Sequence, residues 1–373
     1  MRAIRSRVIG ERLLGTSISS LVLCLLHAAG LFSPMVVRAQ DPQQYIDMDG
    51  TLRTFVVHLP IGYDPRNKYP LVILLHGAGD TASEMARLSR FDFVADRYGI
   101  IALYPNSDDV RWDIGVTVAA AAPPKGRTGR GGGSGDLGGL GGIDGLDLPG
   151  GFPFPGLGGA QKPASKEKNP DGDVEFFDKV LDELTAAYSI DANRVFATGY
   201  SDGGLMAFRL GCSMGKRIAA IAAVAAAMPK EMLGGCEPAR GVPLLMLNGT
   251  SDAVIRYGGG LIRGTTVTTL SVEATAEKWA ALDRCARKPT QTTMAPRDKH
   301  GMQTRIDTYS GCRDGAEVTL YAIEGGGNTW PSGDEFMPKN EVGKTSTDLD
   351  ADEVIWKFFS AHPMGSSSSP AGN

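Results

Sequence analysis

Histidine is scarce in this chain, with five residues in 373, so each one can be weighed singly. Cysteine is equally rare, at five, and no two of them stand in a Cys-x-x-Cys pair. No histidine lies at ligand spacing from another soft donor, which weighs against a metal site of the local zinc type. Basic side chains fall short of acidic ones, 38 against 42, which argues against binding driven by nucleic-acid phosphates. Beyond the first forty positions no apolar run is long enough to span a bilayer, and Ala219 to Ala227 is far too short. What is present in quantity is apolar surface, 42% of residues, enough for a full core. Glycine is also in excess, at 49 residues, about twice the usual ~7% share.

The amino-terminal segment reads as a leader. Arg2, Arg5, Arg7 and Arg12 form a basic start, and Leu21 to Leu26 with Ala28 to Phe32 form an apolar stretch broken by His27. Val37-Arg38-Ala39 then supplies small residues at the −3 and −1 positions of a cleavage site. Residues 1–39 are therefore expected to be a signal peptide, and the mature chain to be secreted or periplasmic, with no stable membrane insertion. The leader holds five Arg and one Glu, so its removal takes the net charge from −4 to −8. Four cysteines remain, Cys212, Cys236, Cys285 and Cys312, an even number that suggests two disulfides in an exported chain. Three connectivities are possible. Cys212–Cys236 with Cys285–Cys312 is the expected one, because each bond closes a local loop.

Much of the glycine is local. Sixteen glycines fall between Gly126 and Gly159, in a stretch that buries little and loses much backbone entropy on ordering. It reads as an insertion at about 121–165 within a domain spanning 40–363, with 364–373 as a disordered tail.

The rest of the chain alternates strands and helices. Short aliphatic runs at Arg53–Leu59, Tyr69–Leu75, Ile100–Tyr104, Arg194–Thr198, within Arg217–Ala227, at Pro243–Leu247 and at Glu317–Ile323 read as strands. Ser83–Tyr98, Asp173–Tyr188, the segment holding Ala207–Leu210, Ser271–Leu282 and Asp350–Ala361 read as helices. The helix at 173–188 places Val174, Phe177, Val180, Leu181 and Leu184 on one face. Such alternation predicts an α/β fold, a mostly parallel sheet covered on both faces, with sites at the carboxyl ends of strands.

One such end carries Gly199-Tyr200-Ser201-Asp202-Gly203-Gly204, the pattern G-x-S-x-G between a strand and a helix. In that context the turn exposes a nucleophilic serine, here Ser201, and the Asp202 N–H helps hold an oxyanion. A second donor is expected from Leu75-His76-Gly77-Ala78-Gly79, where small residues let the N–H groups of Gly77 and Ala78 approach a carbonyl. His76 reads as structural. Asp252 follows the strand at 243–247, in a turn where a carboxylate would orient an imidazole.

These residues resemble the exported α/β-hydrolase esterases grouped with polyhydroxybutyrate depolymerases and feruloyl esterases. The likeness runs through LVILLHGAG at 71–79, the Trp112 region, DVEFFDKVLDEL at 173–184 and RVFATGYSDGGLMAFRL at 194–210. It continues through LLMLNGTSDAVIRY at 244–257, EGGGNTWPSG at 324–333 and DEVIWKFFSAHP at 352–363. The resemblance implies hydrolysis of a carboxylic ester through an acyl-enzyme on Ser201, without a cofactor. Its substrates would be hydroxyalkanoate polyesters, or feruloyl and acetyl esters on plant polysaccharides.

At one position the chain departs. The family pattern at 325–331 is G-G-G-H-x-W-P, whose histidine is the base, and here that position is Asn328. An amide can hydrogen-bond to Ser201 and Asp252 but cannot take up a proton near neutrality. Of the other histidines, His58 lies in an early strand, His362 follows the last helix, and only His300 stands in a polar loop. Two expectations follow. One is an esterase of low turnover. The other is an inactive hydrolase fold that binds a polysaccharide or polyester, with Trp112 and Trp330 as stacking platforms.

Overall fold

The computed structural model describes residues 41–116, 171–335 and 337–365. The expected leader, the glycine-rich insertion and all but the start of the tail lie outside the described residues. The strands are β1 (Gln43–Met48), β2 (Thr51–His58), β3 (Tyr69–Leu75), β4 (Ile101–Pro105), β5 (Ile190–Tyr200), β6 (Ala220–Val224), β7 (Leu244–Gly249), β8 (Gly260–Leu261), β9 (Thr268–Thr269), β10 (Thr290–Met294), β11 (Thr304–Tyr309) and β12 (Val318–Ile323). The helices are α1 (Ala82–Ser89), α2 (Asp92–Tyr98), α3 (Gly172–Ala187), α4 (Asp202–Ser213), α5 (Val272–Leu282), α6 (Lys339–Val342) and α7 (Ala351–Ala361).

Ten strands form one sheet in the order β1-β2-β4-β3-β5-β6-β7-β12-β11-β10. The six central strands, β4 to β12 in that order, pair in parallel. The outer strands β1 and β2 on one side, and β11 and β10 on the other, are antiparallel. A parallel strand needs cover on both faces, and β3 shows how its sequence meets that need. Leu71, Ile73 and Leu75 point into one core with α3, α4 and α5, while Val72 and Leu74 point into a second core with α1, α2 and α7. Each such fully buried aliphatic contributes about 1.5–3 kcal/mol. In the second core Phe196 of β5 stacks on Phe359 of α7, with ring centroids 4.7 Å apart.

Local signals fix the helix starts. Ser271 accepts the Ala274 N–H at α5, and Asp350 accepts the N–H groups of Asp352 and Glu353 at α7. Thr81 accepts the Glu84 N–H at α1.

The structure departs from the sequence reading in several places. The single helix expected at 83–98 is two, because Arg90 takes a left-handed φ of 56° and closes α1 by donating its N–H to Ala86 O. That break turns Phe91 fully inward. On α3 the buried set includes Phe176, while Val174 is only half-buried. Strands β1 and β10 go unread, since both are polar edge strands whose residues are mostly exposed or half-exposed.

Candidate active site

Strand β5 ends at Tyr200 and α4 begins at Asp202, so Ser201 alone makes the turn. Its backbone sits at φ 54°, ψ −112°, a region that a side-chain-bearing residue rarely adopts. Such strain costs of order 1–3 kcal/mol and persists only where its surroundings enforce it. Here the Ser201 N–H donates to Val224 O at 2.9 Å, and Ser201 O accepts from the N–H groups of Gly204 and Leu205. Two glycines are obligatory. A β-carbon at Gly203 would stand 2.1 Å from Leu75 O, and one at Gly199 would stand 2.3 Å from the Gly203 carbonyl. The side chain of Ser201 is half-exposed at the carboxyl edge of the sheet.

Asp252 and Asn328 meet beside this edge. The Asn328 Nδ2 donates to Asp252 Oδ2 at 2.7 Å and to Ala225 O at 3.2 Å. Both of its N–H bonds are thereby used, which leaves only the amide oxygen to face other partners. Among the described residues no hydrogen bond joins Asn328 to Ser201. Asp252 Oδ1 accepts the N–H groups of Val254 and Ile255, each at 2.8 Å. Burial pushes the Asp252 carboxyl up to about 6, against the Asn328 amide, the two backbone donors and the Arg263 charge.

The loop after β3 is held by His76. Its Nε2 accepts the Ser107 N–H at 3.1 Å, so Nδ1 carries the proton and donates to Gly77 O at 2.7 Å. Burial lowers the His76 pKa, in keeping with that neutral form. The Gly77 carbonyl is thus pulled to one side. In a trans peptide the Ala78 N–H then points the other way. Ala78 is exposed while Gly77 is buried. The Asp202 N–H is the first of α4, a position without an acceptor inside the helix.

The family model described as Esterase PHB depolymerase matches residues 53–113. The chain is 34% identical over 161 residues to Feruloyl esterase B of Piromyces equi, a match that takes in 42% of this chain and 28% of that protein. It is 26% identical over 338 residues to Putative esterase NocK of Nocardia uniformis subsp. tsuyamanensis, taking in 87% of this chain and 84% of the other. The chain is thus similar to esterases of this type over these segments. Among solved structures, an acetyl xylan esterase from Aspergillus awamori superposes with a TM-score of 0.51 at 13% identity, over 86% of this chain and 99% of that one. At that identity the likeness establishes the α/β-hydrolase fold alone. Because the match spans under a third of Feruloyl esterase B, that enzyme's substrate does not transfer with it.

Within this α/β-hydrolase fold Ser201 and Asp202 share the elbow, Gly77 and Ala78 share the loop after β3, and Asp252 bonds to Asn328. The two tryptophans do not behave as platforms. Trp112 and Trp330 are each 1% exposed. The Trp112 Nε1 donates to His76 O at 2.9 Å, and the Trp330 Nε1 to Asp352 Oδ1 at 3.1 Å. Both indoles are structural ties, each almost wholly buried. Among the described residues no other histidine bonds to Ser201, Asp252 or Asn328. His58 is held by Asp41 and Asp96, His362 by Phe358 O, and His300 lies exposed.

The expected disulfides, Cys212–Cys236 and Cys285–Cys312, are both formed. One group with metal-ligand spacing does occur among the described residues: Asp41, His58 and Asp92. Its donors come from three separate segments, so sequence spacing could not disclose it, and His58 is already hydrogen-bonded through both ring nitrogens. Three contacts of the site also escape the sequence. Ala225 O meets Asn328, and the Asp202 carboxylate takes Arg111 at 2.9 Å and the Trp112 N–H at 3.0 Å. Burial raises the Asp202 carboxyl, opposed by the Arg111 charge.

Proposed function

We propose that this protein is an exported carboxylic ester hydrolase acting through an acyl-enzyme on Ser201, with low turnover because Asn328 stands where the family has its base. The observation that carries this reading is the strained Ser201 turn, φ 54° and ψ −112°, closed over two glycines that admit no β-carbon. A serine serving only as a helix cap would have no need of that strain. The N–H groups of Ala78 and Asp202 would take the oxyanion, with Gly77 shaping the loop. Asp252 would orient the group at 328. Polyesters of hydroxyalkanoates and feruloyl or acetyl esters of plant polysaccharides are the substrate classes this reading favours. Export is supported by the leader pattern and by the two disulfides. No helix among the described residues is long and apolar enough to cross a membrane.

A second reading, a ligand-binding protein without turnover, is favoured by the committed amide of Asn328, whose N–H groups are both spent on Asp252 and Ala225. Labelling with a fluorophosphonate separates the two. A hydrolase incorporates the probe on Ser201, detected by peptide mass, and Ser201→Ala does not. Absence of labelling in the native protein at millimolar probe would leave only the binding reading.

A further inference from the structure

We propose that Tyr200 is a positioning residue of this site, fixing where residue 328 and the Gly77 loop stand relative to Ser201. The inference rests on the ester-hydrolase reading above. Tyr200 is the last residue of β5 and the chain neighbour of Ser201. Its side chain is 5% exposed. Its hydroxyl donates to Asn328 O at 2.9 Å, across 128 positions of sequence. Its ring lies against the opposite side of the site as well. A β-carbon at Gly77 would stand 3.1 Å from Tyr200 Cδ1 and 3.3 Å from Cε1. One buried side chain therefore touches both loops that flank the nucleophile, and its backbone runs directly into the strained turn.

The geometry gives this contact a specific task. The Asn328 N–H donates to Val342 O at 2.6 Å, which pins one end of the residue. The Tyr200 hydroxyl pins the carbonyl at the other end. With both held, the peptide planes at 328 cannot tilt, and the side chain leaves the backbone in one direction, toward Asp252. A base works only within hydrogen-bond reach of its proton, about 2.6–3.2 Å. Displacing it by a fraction of an ångström lowers the chemical step while leaving binding largely intact. Burial, with the Asp80 and Asp252 carboxylates nearby, raises the Tyr200 hydroxyl well above its ordinary range. It stays a proton donor at every working pH. The G-x-S-x-G pattern gives no sign of this role, because its second position is unconstrained in residue type.

The test is a cycle of four full-length proteins: native, Tyr200→Phe, Asn328→His and the double variant. Phenylalanine keeps the ring against Gly77 and removes only the hydroxyl. Hydrolysis of p-nitrophenyl acetate is expected to show coupling. The loss in kcat on removing the hydroxyl should be at least about tenfold larger in the Asn328→His background than in the native one, and KM should change little. Equal losses in both backgrounds would make Tyr200 merely structural and overturn the proposal. Hydrogen exchange supplies a readout that does not depend on turnover. Tyr200→Phe in the native background should raise exchange across 325–331 with the melting temperature nearly unchanged. Unaltered exchange there overturns the proposal whether or not the protein is an esterase. Failure of the hydrolase reading is recognised separately, by a Ser201 that takes no fluorophosphonate and an Asn328→His variant without activity.

Discussion

Restoring histidine at 328 is the most informative perturbation, and the structure sets its size. Removing the base from a Ser-His-Asp arrangement costs about 10⁴–10⁶ in rate, or roughly 5–8 kcal/mol of transition-state stabilisation. The reverse change recovers that sum only where the rest of the arrangement survives. Here it does. The bond a histidine Nδ1–H would make to Asp252 already exists, made by Asn328 Nδ2 at 2.7 Å. The backbone of 328 is held at its N–H by Val342 and at its carbonyl by Tyr200. What must still adjust is the second contact of the amide, to Ala225 O at 3.2 Å, which an imidazole lacks the donor to keep. Loss of one such hydrogen bond costs about 0.5–1.5 kcal/mol. The net gain in kcat/KM is therefore expected near 10³–10⁵, allowing for that loss. The assay is p-nitrophenyl acetate hydrolysis, with Ser201→Ala in the same background as control. The gained activity should rise with pH through the imidazole range, about 6.5, since only neutral imidazole accepts the serine proton. If native protein matches the variant and Ser201→Ala abolishes both, another group serves as base and the reasoning about Asn328 is refuted.

Other consequences are open to direct measurement. Asp252 titrates at about 6 in the fold against 3.8 ordinarily, so it holds its proton more tightly when folded. Stability from this group is full below pH 3.8 and is lost as pH rises through about 6, by ~3 kcal/mol. Denaturant titrations at several pH values should show Asp252→Asn losing less stability than native protein between pH 4 and 7. The disulfides close loops of 24 and 27 residues, worth about 3.5 kcal/mol each on a chain-entropy basis. Replacing either pair by alanine should lower the denaturant midpoint accordingly. Finally, the Asp113 N–H donates to Asp173 Oδ2 at 2.6 Å, so the chain on either side of residues 117–170 is already joined. A short Gly-Ser linker in place of 117–170 should leave the melting temperature within a few degrees by calorimetry.

The sheet's centre was legible because parallel strands buried on both faces must be continuous aliphatic runs, and Tyr69–Leu75 is one. The edges were not, because Gln43–Met48 and Thr290–Met294 bury too little to leave a pattern. The helix break at Arg90 had no glycine or proline to announce it, since an arginine supplies the left-handed residue. At the site, the glycine spacing around Ser201 was readable because steric exclusion leaves no alternative residue. Trp112 and Trp330 misled for a related reason. An indole in a loop motif serves equally as a platform or as a tie, and only its surroundings decide. The Tyr200 hydroxyl and Ala225 carbonyl join positions over a hundred residues apart in sequence, which no local pattern encodes.

Both cross-links fall on one side of the molecule. Cys212 closes α4, Cys285 follows α5, and their partners Cys236 and Cys312 precede β7 and β12. The opposite face of the sheet, covered by α1, α2 and α7, has no covalent staple among the described residues and depends on packing alone. Tolerance of heat and proteases is thus expected to differ between the two faces of the sheet. In oxidising surroundings the unstapled face is expected to open first, read as the earliest proteolytic cuts. In reducing surroundings that order should be lost, so the redox state of the medium would select which part of the chain a protease meets first.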